Sequence, residues 1–406
     1  MLSVIAATAL LAAGAGTAQA HQAVQVTSVG GRLQARADGD KPAPGPAATP
    51  ALAAPSACAA PGEGKKVSCL TVAGAHGQAP AAQLAAPRAA ASAAPIPSWC
   101  IDNAYKGVYG LRTEACQVTG LTYTTYTTTN GVTSTTGQVS MNVINYEYSD
   151  TGLINWAHQI EVAGYSGWGD ALNGSVGGSA ISSGSCTTNN SSFPTQGLSP
   201  LQSWRIGESL FDTTATAPGA VGNCTTTWQL TFSTPGYTPG EMTYPTANVR
   251  CDNATAGNPN TGCVVPWYPA PAYYSQAANP GLANHVVQAQ ASGLPGGTFA
   301  APLTRTTSDA ITNSNRTQAC GDAPSITGLS CDEYPLASTY QGLSAGGTRR
   351  TFAGCNFNLP SQTGPTGVSV CMIAAGDNSS QGGIMSQFYR AQRVLDGDPF
   401  RVLVVA

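Results

Sequence analysis

The chain has 406 residues, of which 9% are charged, and a formal net charge of −3. That length admits two domains with sizeable cores, and the charge balance excludes a polybasic protein that wraps nucleic acid. Twelve cysteines without a Cys-x-x-Cys pair argue against zinc ribbons and redox motifs, and for disulfides made in an oxidising compartment.

In chain order, Met1 to Ala20 is an apolar run ending Thr17-Ala18-Gln19-Ala20, a small-residue cleavage pattern, although it lacks a positively charged start. Residues 1–20 are therefore read as a signal peptide, and the protein as secreted and extracellular. No later stretch offers the ~20 unbroken apolar residues of a membrane span, so no membrane insertion is expected after cleavage. Residues 21–98 are dominated by Ala, Pro and Gly, a composition that buries too little to offset ordering entropy. This stretch is expected to be a disordered linker or pro-segment, with a small loop clipped by Cys58 and Cys69.

From 99 to 250 the chain turns to Thr, Ser, Gly, Asn and aromatics. Gln138–Tyr148, Ile154–Tyr165 and Trp228–Phe232 alternate with a period of two between turn-rich clusters, which predicts an antiparallel β-sandwich. Trp156, Trp168 and Trp204 are expected in its core; a platform for a polysaccharide or surface ligand is the alternative. His158 is expected to be packed or exposed rather than catalytic. Residues 251–278, rich in Pro and Tyr, read as a connector.

Asn279-Pro280 predicts a helix start, with Asn as N-cap and Pro at the first position, running to about Ala291 and stopping at Gly293. Ser308 is expected to cap a second helix through Ala319. Gly367–Ala375 and Arg401–Val405 are strand-like. Between them Asp377, Asn378 or Ser379 opens a third helix, with Ile384, Met385, Phe388 and Leu395 near one face and Asp396-Gly397-Asp398 ending it. The cysteines group locally as Cys58/Cys69, Cys100/Cys116, Cys186/Cys224, Cys251/Cys263, Cys320/Cys331 and Cys355/Cys371. Sequence alone does not settle that connectivity.

Within this last region, Cys331 to Gly342 reads Cys-Asp-Glu-Tyr-Pro-Leu-Ala-Ser-Thr-Tyr-Gln-Gly. On an extended backbone Asp332 and Tyr334 share one face, and Glu333 shares the other with Cys331. One acid can then look into a site while the other braces the scaffold. A strand ending at Pro335 with two solvated acids would carry the same residues.

Asp332-Glu333-Tyr334-Pro335-Leu336-Ala337 resembles the Asp-Glu-(Trp/Tyr)-Pro-x-Ala signature of the NucA/NucB family of secreted bacterial deoxyribonucleases. Asp377-Asn378 with Gln381-Gly382-Gly383, and Asp396-Gly397 before the last strand, resemble further blocks of that family. Leu303-Thr304-Arg305 and Asn315-Arg316 through Cys320 also fit, so the resemblance covers about 279–406. It implies a small α+β (ββα-metal-like) nuclease domain there, which with the N-terminal all-β antiparallel sandwich read from the strand periodicity makes the expected fold class mixed. It also implies metal-dependent, sequence-nonspecific endonucleolytic hydrolysis of DNA, with Mg²⁺ or Mn²⁺ as cofactor. An inactive nuclease scaffold that binds a surface or glycan is the rival reading.

By this resemblance Asp332 is the expected base, and Asn378, with Asp332, the expected metal site; a plain N-cap is the other reading of Asn378. Glu333 is either an acid behind the metal or a partner for Arg316, and Arg316 alternatively faces the phosphate through its planar fork. Gln381 and Gln341 are expected DNA contacts, although Gln341 stands where short family members carry Glu. His285 is the rival base, a packed or surface histidine being favoured. Cys251/Cys263, Cys320/Cys331 and Cys355/Cys371 are expected disulfides, and residues from about 270 are expected to work alone.

Overall fold

A computed structural model of the chain describes residues 41–45, 58, 62–72, 84, 94–362 and 364–406. The expected signal peptide lies outside the described residues, as does most of the expected linker. The N-terminal unit holds β1 (Ala43–Pro44), β2 (Lys66–Val72), a short α1 (Ser98–Asp102), β3 (Val108–Gly110), β4 (Glu114–Thr129), β5 (Val132–Tyr148), β6 (Asn155–Gly169) and β7 (Ser175–Gly184). It continues with β8 (Cys186–Gly197), β9 (Arg205–Thr213), β10 (Val221–Ser233), β11 (Gly240–Pro245), β12 (Val249–Asp252) and β13 (Gly262–Val264).

These strands form one 13-stranded sheet with the path β1-β3-β4-β5-β6-β9-β8-β7-β10-β12-β13, β2 joining β4 and β11 joining β10. All of its ladders are antiparallel. The β4–β5 hairpin turns on Asn130-Gly131, both at positive φ (+54° and +73°), the backbone that a two-residue turn needs to match strand twist. The sheet curls until Thr238, just before β11, bridges Val67 of β2. Alternate residues of β10, among them Trp228, Leu230 and Phe232, point inward, where they meet Leu70, Tyr123, Met141, Ile160, Phe211 and Tyr244 in one core.

Two expectations change here. Residues 66–72, inside the expected linker, form a strand, because Val67, Leu70 and Val72 interrupt the Ala/Pro-rich run and Leu70 reaches the core. Residues 251–264, expected to begin a connector, instead help to complete the large sheet as the end of β12 and as β13. Trp156 and Trp204 are buried, while Trp168 is about half exposed, so the three form no shared platform.

The C-terminal unit is small and α+β. It contains β14 (Ala270–Ser275), α2 (Pro280–Ala291), β15 (Leu303–Thr304), α3 (Asp309–Cys320), β16 (Leu329–Tyr334), β17 (Arg349–Arg350), β18 (Val368–Ala374), α4 (Ala375–Ala391) and β19 (Pro399–Val405). Three strands pair as β14-β19-β15 and three as β16-β18-β17. β16 and β18 run antiparallel and α4 follows directly, a ββα order. Ser308 caps α3 by accepting from Ile311 N at 3.4 Å. Asn279 stands at the N-cap of α2 without a side-chain cap bond; Asp377 supplies it, Oδ2 accepting from Gly281 N at 2.7 Å. With Asp377 turned to α2, α4 begins earlier than expected, at Ala375, and ends at Ala391, before Asp396.

All six local cysteine pairs are disulfides: Cys58–Cys69, Cys100–Cys116, Cys186–Cys224, Cys251–Cys263, Cys320–Cys331 and Cys355–Cys371. Cys251–Cys263 joins paired positions of β12 and β13, and Cys355–Cys371 ties the loop after β17 to β18. A single apolar cluster runs from Trp99, Leu111, Ile144 and Tyr146 into Tyr274, Val286, Phe388 and Phe400, so the two units share a core. A buried ionic network crosses the same boundary. Asp398 receives Arg250 Nη1 at 2.5 Å and Arg112 Nη2 at 2.9 Å, and Arg393 Nη1 meets Asp252 Oδ1 at 3.2 Å. A Cβ at Gly262 would collide with Thr151 O and the Arg393 guanidinium, so this crossing needs glycine.

Candidate active site

β16 carries the acids, and its alternation sorts them as expected. Tyr334 is buried toward α2, accepting from Gln290 Nε2 and donating to Pro295 O, each at 2.8 Å. Asp332, 2% exposed, faces the same way. Its Oδ2 lies 2.6 Å from His285 Nδ1 of α2, and its Oδ1 accepts from Gln381 Nε2 of α4 at 3.0 Å. Glu333 faces the other side, toward α3, whose last residue is tied to β16 by Cys320–Cys331. A disulfide sulfur has no proton to donate, so the 3.2 Å approach of Cys320 Sγ to Glu333 Oε2 is a contact and not a hydrogen bond.

A cleft of about 330 Å³ opens between α3, β16 and α4, lined by Arg316, Asp332, Glu333, Ser338, Asn378 and Gln381, among others. Of the three disulfides expected at this end of the chain, Cys320 and Cys331 line the cleft, whereas Cys251, Cys263, Cys355 and Cys371 do not. Cys251 and Cys263 are packed in the β-sheet core and Cys355 and Cys371 in the shared core, so these two bridges brace the fold and are no part of the site. Burial pushes the Glu333 carboxyl up to about 7, the neighbouring Asp332 charge adds to the rise, and Arg316 opposes it. Arg316 itself is exposed and has no ion pair among the described residues. The other arginines of this unit are mostly engaged in structure. Arg350 donates to Ser292 O, Gln362 O and Gly364 O; Arg393 and Arg401 are buried; Arg305 lies over the Tyr389 ring; Arg349 pairs with Asp322.

Asn378 and Gln381 sit three residues apart on α4, on the face turned to β16. Asn378 is not an N-cap, since the helix starts three residues before it. Its Nδ2 donates to Ser330 Oγ and Cys331 O, each at 2.9 Å, which turns Oδ1 away from those partners. The cleft thus gathers Asp332, Glu333, Arg316, Asn378 and Gln381. Gln341 is placed elsewhere: its Oε1 accepts from Thr304 N at 2.9 Å and its Nε2 donates to Thr304 Oγ1 at 3.1 Å, so the amide is occupied by β15 and is no cleft residue.

His285 was expected to be a packed or surface residue; it is packed, 1% exposed, yet bound to Asp332. Ser369 of β18, which the sequence did not single out, stands 2.9 Å from His285 Nε2. No local spacing links residues 285, 332 and 369, so only the fold reveals their contact.

Neither curated proteins nor solved structures yield a match to this chain. Residues 296–403, the region that holds the cleft, match the family model described as Deoxyribonuclease NucA/NucB.

Proposed function

We propose that the protein is a secreted, metal-dependent endonuclease that hydrolyses DNA phosphodiester bonds without sequence preference. The observation that carries this reading is the convergence of two carboxyls, an exposed arginine and an oriented asparagine in one cleft of the region that matches the deoxyribonuclease family. Six disulfides suit an oxidising compartment. Among the described residues no element resembles a helix built to read base edges, which supports contacts to the sugar–phosphate backbone.

The donor set fits a hard cation. Asp332 and Glu333 are adjacent and substantially buried, with Arg316 lining the same cleft, and Asn378 turns an amide oxygen away from its nitrogen's partners. No group of three or more His, Cys, Asp and Glu gathers among the described residues, which suits magnesium or manganese with much of the shell left to water. Asp332 and Asn378 Oδ1 would hold the ion, which when bound supplies charge neutralisation at the phosphate and a more acidic water.

The remaining roles follow from access. Both Asp332 oxygens already accept hydrogen bonds, whereas Glu333 faces the cleft with no donor on its carboxylate among the described residues. Glu333 is thus better placed than Asp332 to take the proton of the attacking water. The water oxygen bonds to phosphorus, the bond to the leaving oxygen breaks, and Arg316 faces the negative charge that builds on the phosphoryl oxygens. Gln341, which stands where short family members carry Glu, lies outside the lining of the cleft.

Plasmid nicking by purified, oxidised protein tests this reading. Cleavage is expected with Mg²⁺ or Mn²⁺ and is expected to stop with EDTA. Absence of nicking at any metal concentration, or nicking unaffected by EDTA, would overturn it.

A further inference from the structure

The geometry points to His285, backed by Ser369, as a positioning residue for Asp332. His285 lies on α2, before the family-matched residues 296–403, so this chain builds the back wall of its cleft partly from outside the matched region. The inference rests on the functional reading above and deepens it.

Three buried side chains stand in line. Asp332 is 2% exposed, His285 1% and Ser369 0%. Nδ1 of His285 is 2.6 Å from Asp332 Oδ2, and Nε2 is 2.9 Å from Ser369 Oγ. Ser369 Oγ in turn reaches Tyr334 O at 3.3 Å. An ionised carboxylate only accepts, so Nδ1 carries a proton and donates it to Asp332. Nε2 then either accepts from the Ser369 hydroxyl or donates to it while Ser369 donates to Tyr334 O. In both arrangements the imidazole has a partner at each nitrogen and cannot turn without losing one.

This chain acts on Asp332 from behind. Gln381 holds Oδ1 from α4 and His285 holds Oδ2 from α2, so the carboxylate plane is fixed from two helices. Each oxygen keeps a lone pair for a ligand in the cleft. Groups that orient a ligating or reacting carboxylate in this way typically contribute ~10–100-fold in metal affinity or activity. A histidine that merely filled space would not need a donor aimed at the cleft carboxylate.

The test uses full-length protein with His285→Leu, His285→Asn and Ser369→Ala. Asparagine places an amide nitrogen near the position of Nδ1 and retains a donor for Asp332; leucine retains none. The readouts are kcat and KM for duplex DNA, thermal melting, and Mn²⁺ binding followed by electron paramagnetic resonance without DNA. For folded His285→Leu the expected result is a ~10–100-fold loss in kcat, little change in KM, and weaker Mn²⁺ binding. His285→Asn recovers most of both, and Ser369→Ala loses several-fold. Wild-type turnover and Mn²⁺ affinity in His285→Leu would overturn the inference, as would a His285→Asn no better than leucine. Should leucine fail to fold, the asparagine and Ser369→Ala variants decide, wild-type behaviour in Ser369→Ala together with full loss in asparagine refuting the chain. If wild-type protein neither cuts DNA nor binds Mn²⁺, the functional reading fails and this inference falls with it; if it does both and leucine matches it, positioning alone fails.

Discussion

Replacing Asp398 by asparagine isolates what fastens the two units together. The carboxylate lies between Arg250 Nη1, at 2.5 Å, and Arg112 Nη2, at 2.9 Å, and also accepts from Leu395 N at 3.0 Å. Asparagine keeps the size but removes the charge, leaving two buried guanidiniums facing each other. Breaking a buried ion pair from one side costs ~3–5 kcal/mol. The lower end applies here, because Arg250 retains Asp252 at 3.5 Å and Arg112 retains backbone acceptors at Gln392 and Arg393. With an unfolding entropy of roughly 2 cal/mol/K per residue, a loss of ~3 kcal/mol in a chain of this size lowers Tm by about 4 °C. Calorimetry of oxidised protein measures it, and Arg349→Ala, which breaks the exposed pair with Asp322, is the control expected to leave Tm in place. Because the apolar core is shared, wild type should melt in one transition and residues 270–406 alone should not fold. A Tm within about 1 °C of wild type for Asp398→Asn, well below the shift expected from the lost pair, or a stable active fragment, would refute the reasoning.

Three further outcomes follow from the geometry. Glu333→Gln should cut DNA ~10²–10⁴-fold more slowly with unchanged metal demand, the usual effect of losing a positioned base, whereas Asp332→Asn should raise the metal concentration needed; wild-type turnover in Glu333→Gln sinks the assignment. His158 is fully buried between Asn145 and Thr226, and burial lowers its pKa to about 3. The unfolded chain therefore binds this proton first, near pH 6.5, so stability is lost as pH falls below that value, by ~2 kcal/mol at pH 5; denaturation of wild type against His158→Gln at about pH 7.5 and 5 checks the difference. Gly382 lies within α4, where a methyl group would meet nothing within 4 Å, so Gly382→Ala should stabilise the fold by ~0.5–1 kcal/mol yet raise KM for DNA, and an unchanged KM counts against close approach of DNA there.

What could be seen in the sequence was what local chemistry decides. Ser308 before α3, Asn279-Pro280 before α2 and the short cysteine spacings, Cys251–Cys263 and Cys355–Cys371 among them, all act within a few turns of chain, and each is found in the structure. The Asn130-Gly131 turn carries an equally local signal. β2 was hidden because its seven residues sit in Ala- and Pro-rich surroundings, and its partner is the distant β4, in the register Lys66↔Thr127. The start of α4 was displaced because Asp377, a good cap by type, bonds to another helix. The His285–Asp332–Ser369 line and the Arg112–Asp398 contact join residues far apart in sequence, and no periodicity records such contacts.

The distribution of arginine carries the functional reading one step further. Seven arginines balance seven acids from 281 onward, so the region has no net charge to draw DNA diffusely and attraction falls to individually placed arginines. The fold withdraws most of them from that role, since Arg350, Arg393 and Arg401 are buried, Arg305 lies on Tyr389, and Arg349 is paired. Of the seven, Arg316 lines the cleft. The proposed nuclease would therefore release few counterions on binding, and the expected outcome is an affinity that depends weakly on salt. On the proposed reading, its grip on DNA comes from a bound cation and from close backbone approach, and α4 suits that approach with Gly376, Gly382 and Gly383 on surfaces where the fold itself packs nothing. Each glycine costs the helix roughly 0.5–1 kcal/mol relative to alanine. The fold tolerates that cost because α4 is held by Met385, Phe388 and Tyr389 in the shared core, so the N-terminal β-unit helps to stabilise a helix whose exposed surface stays low beside the cleft.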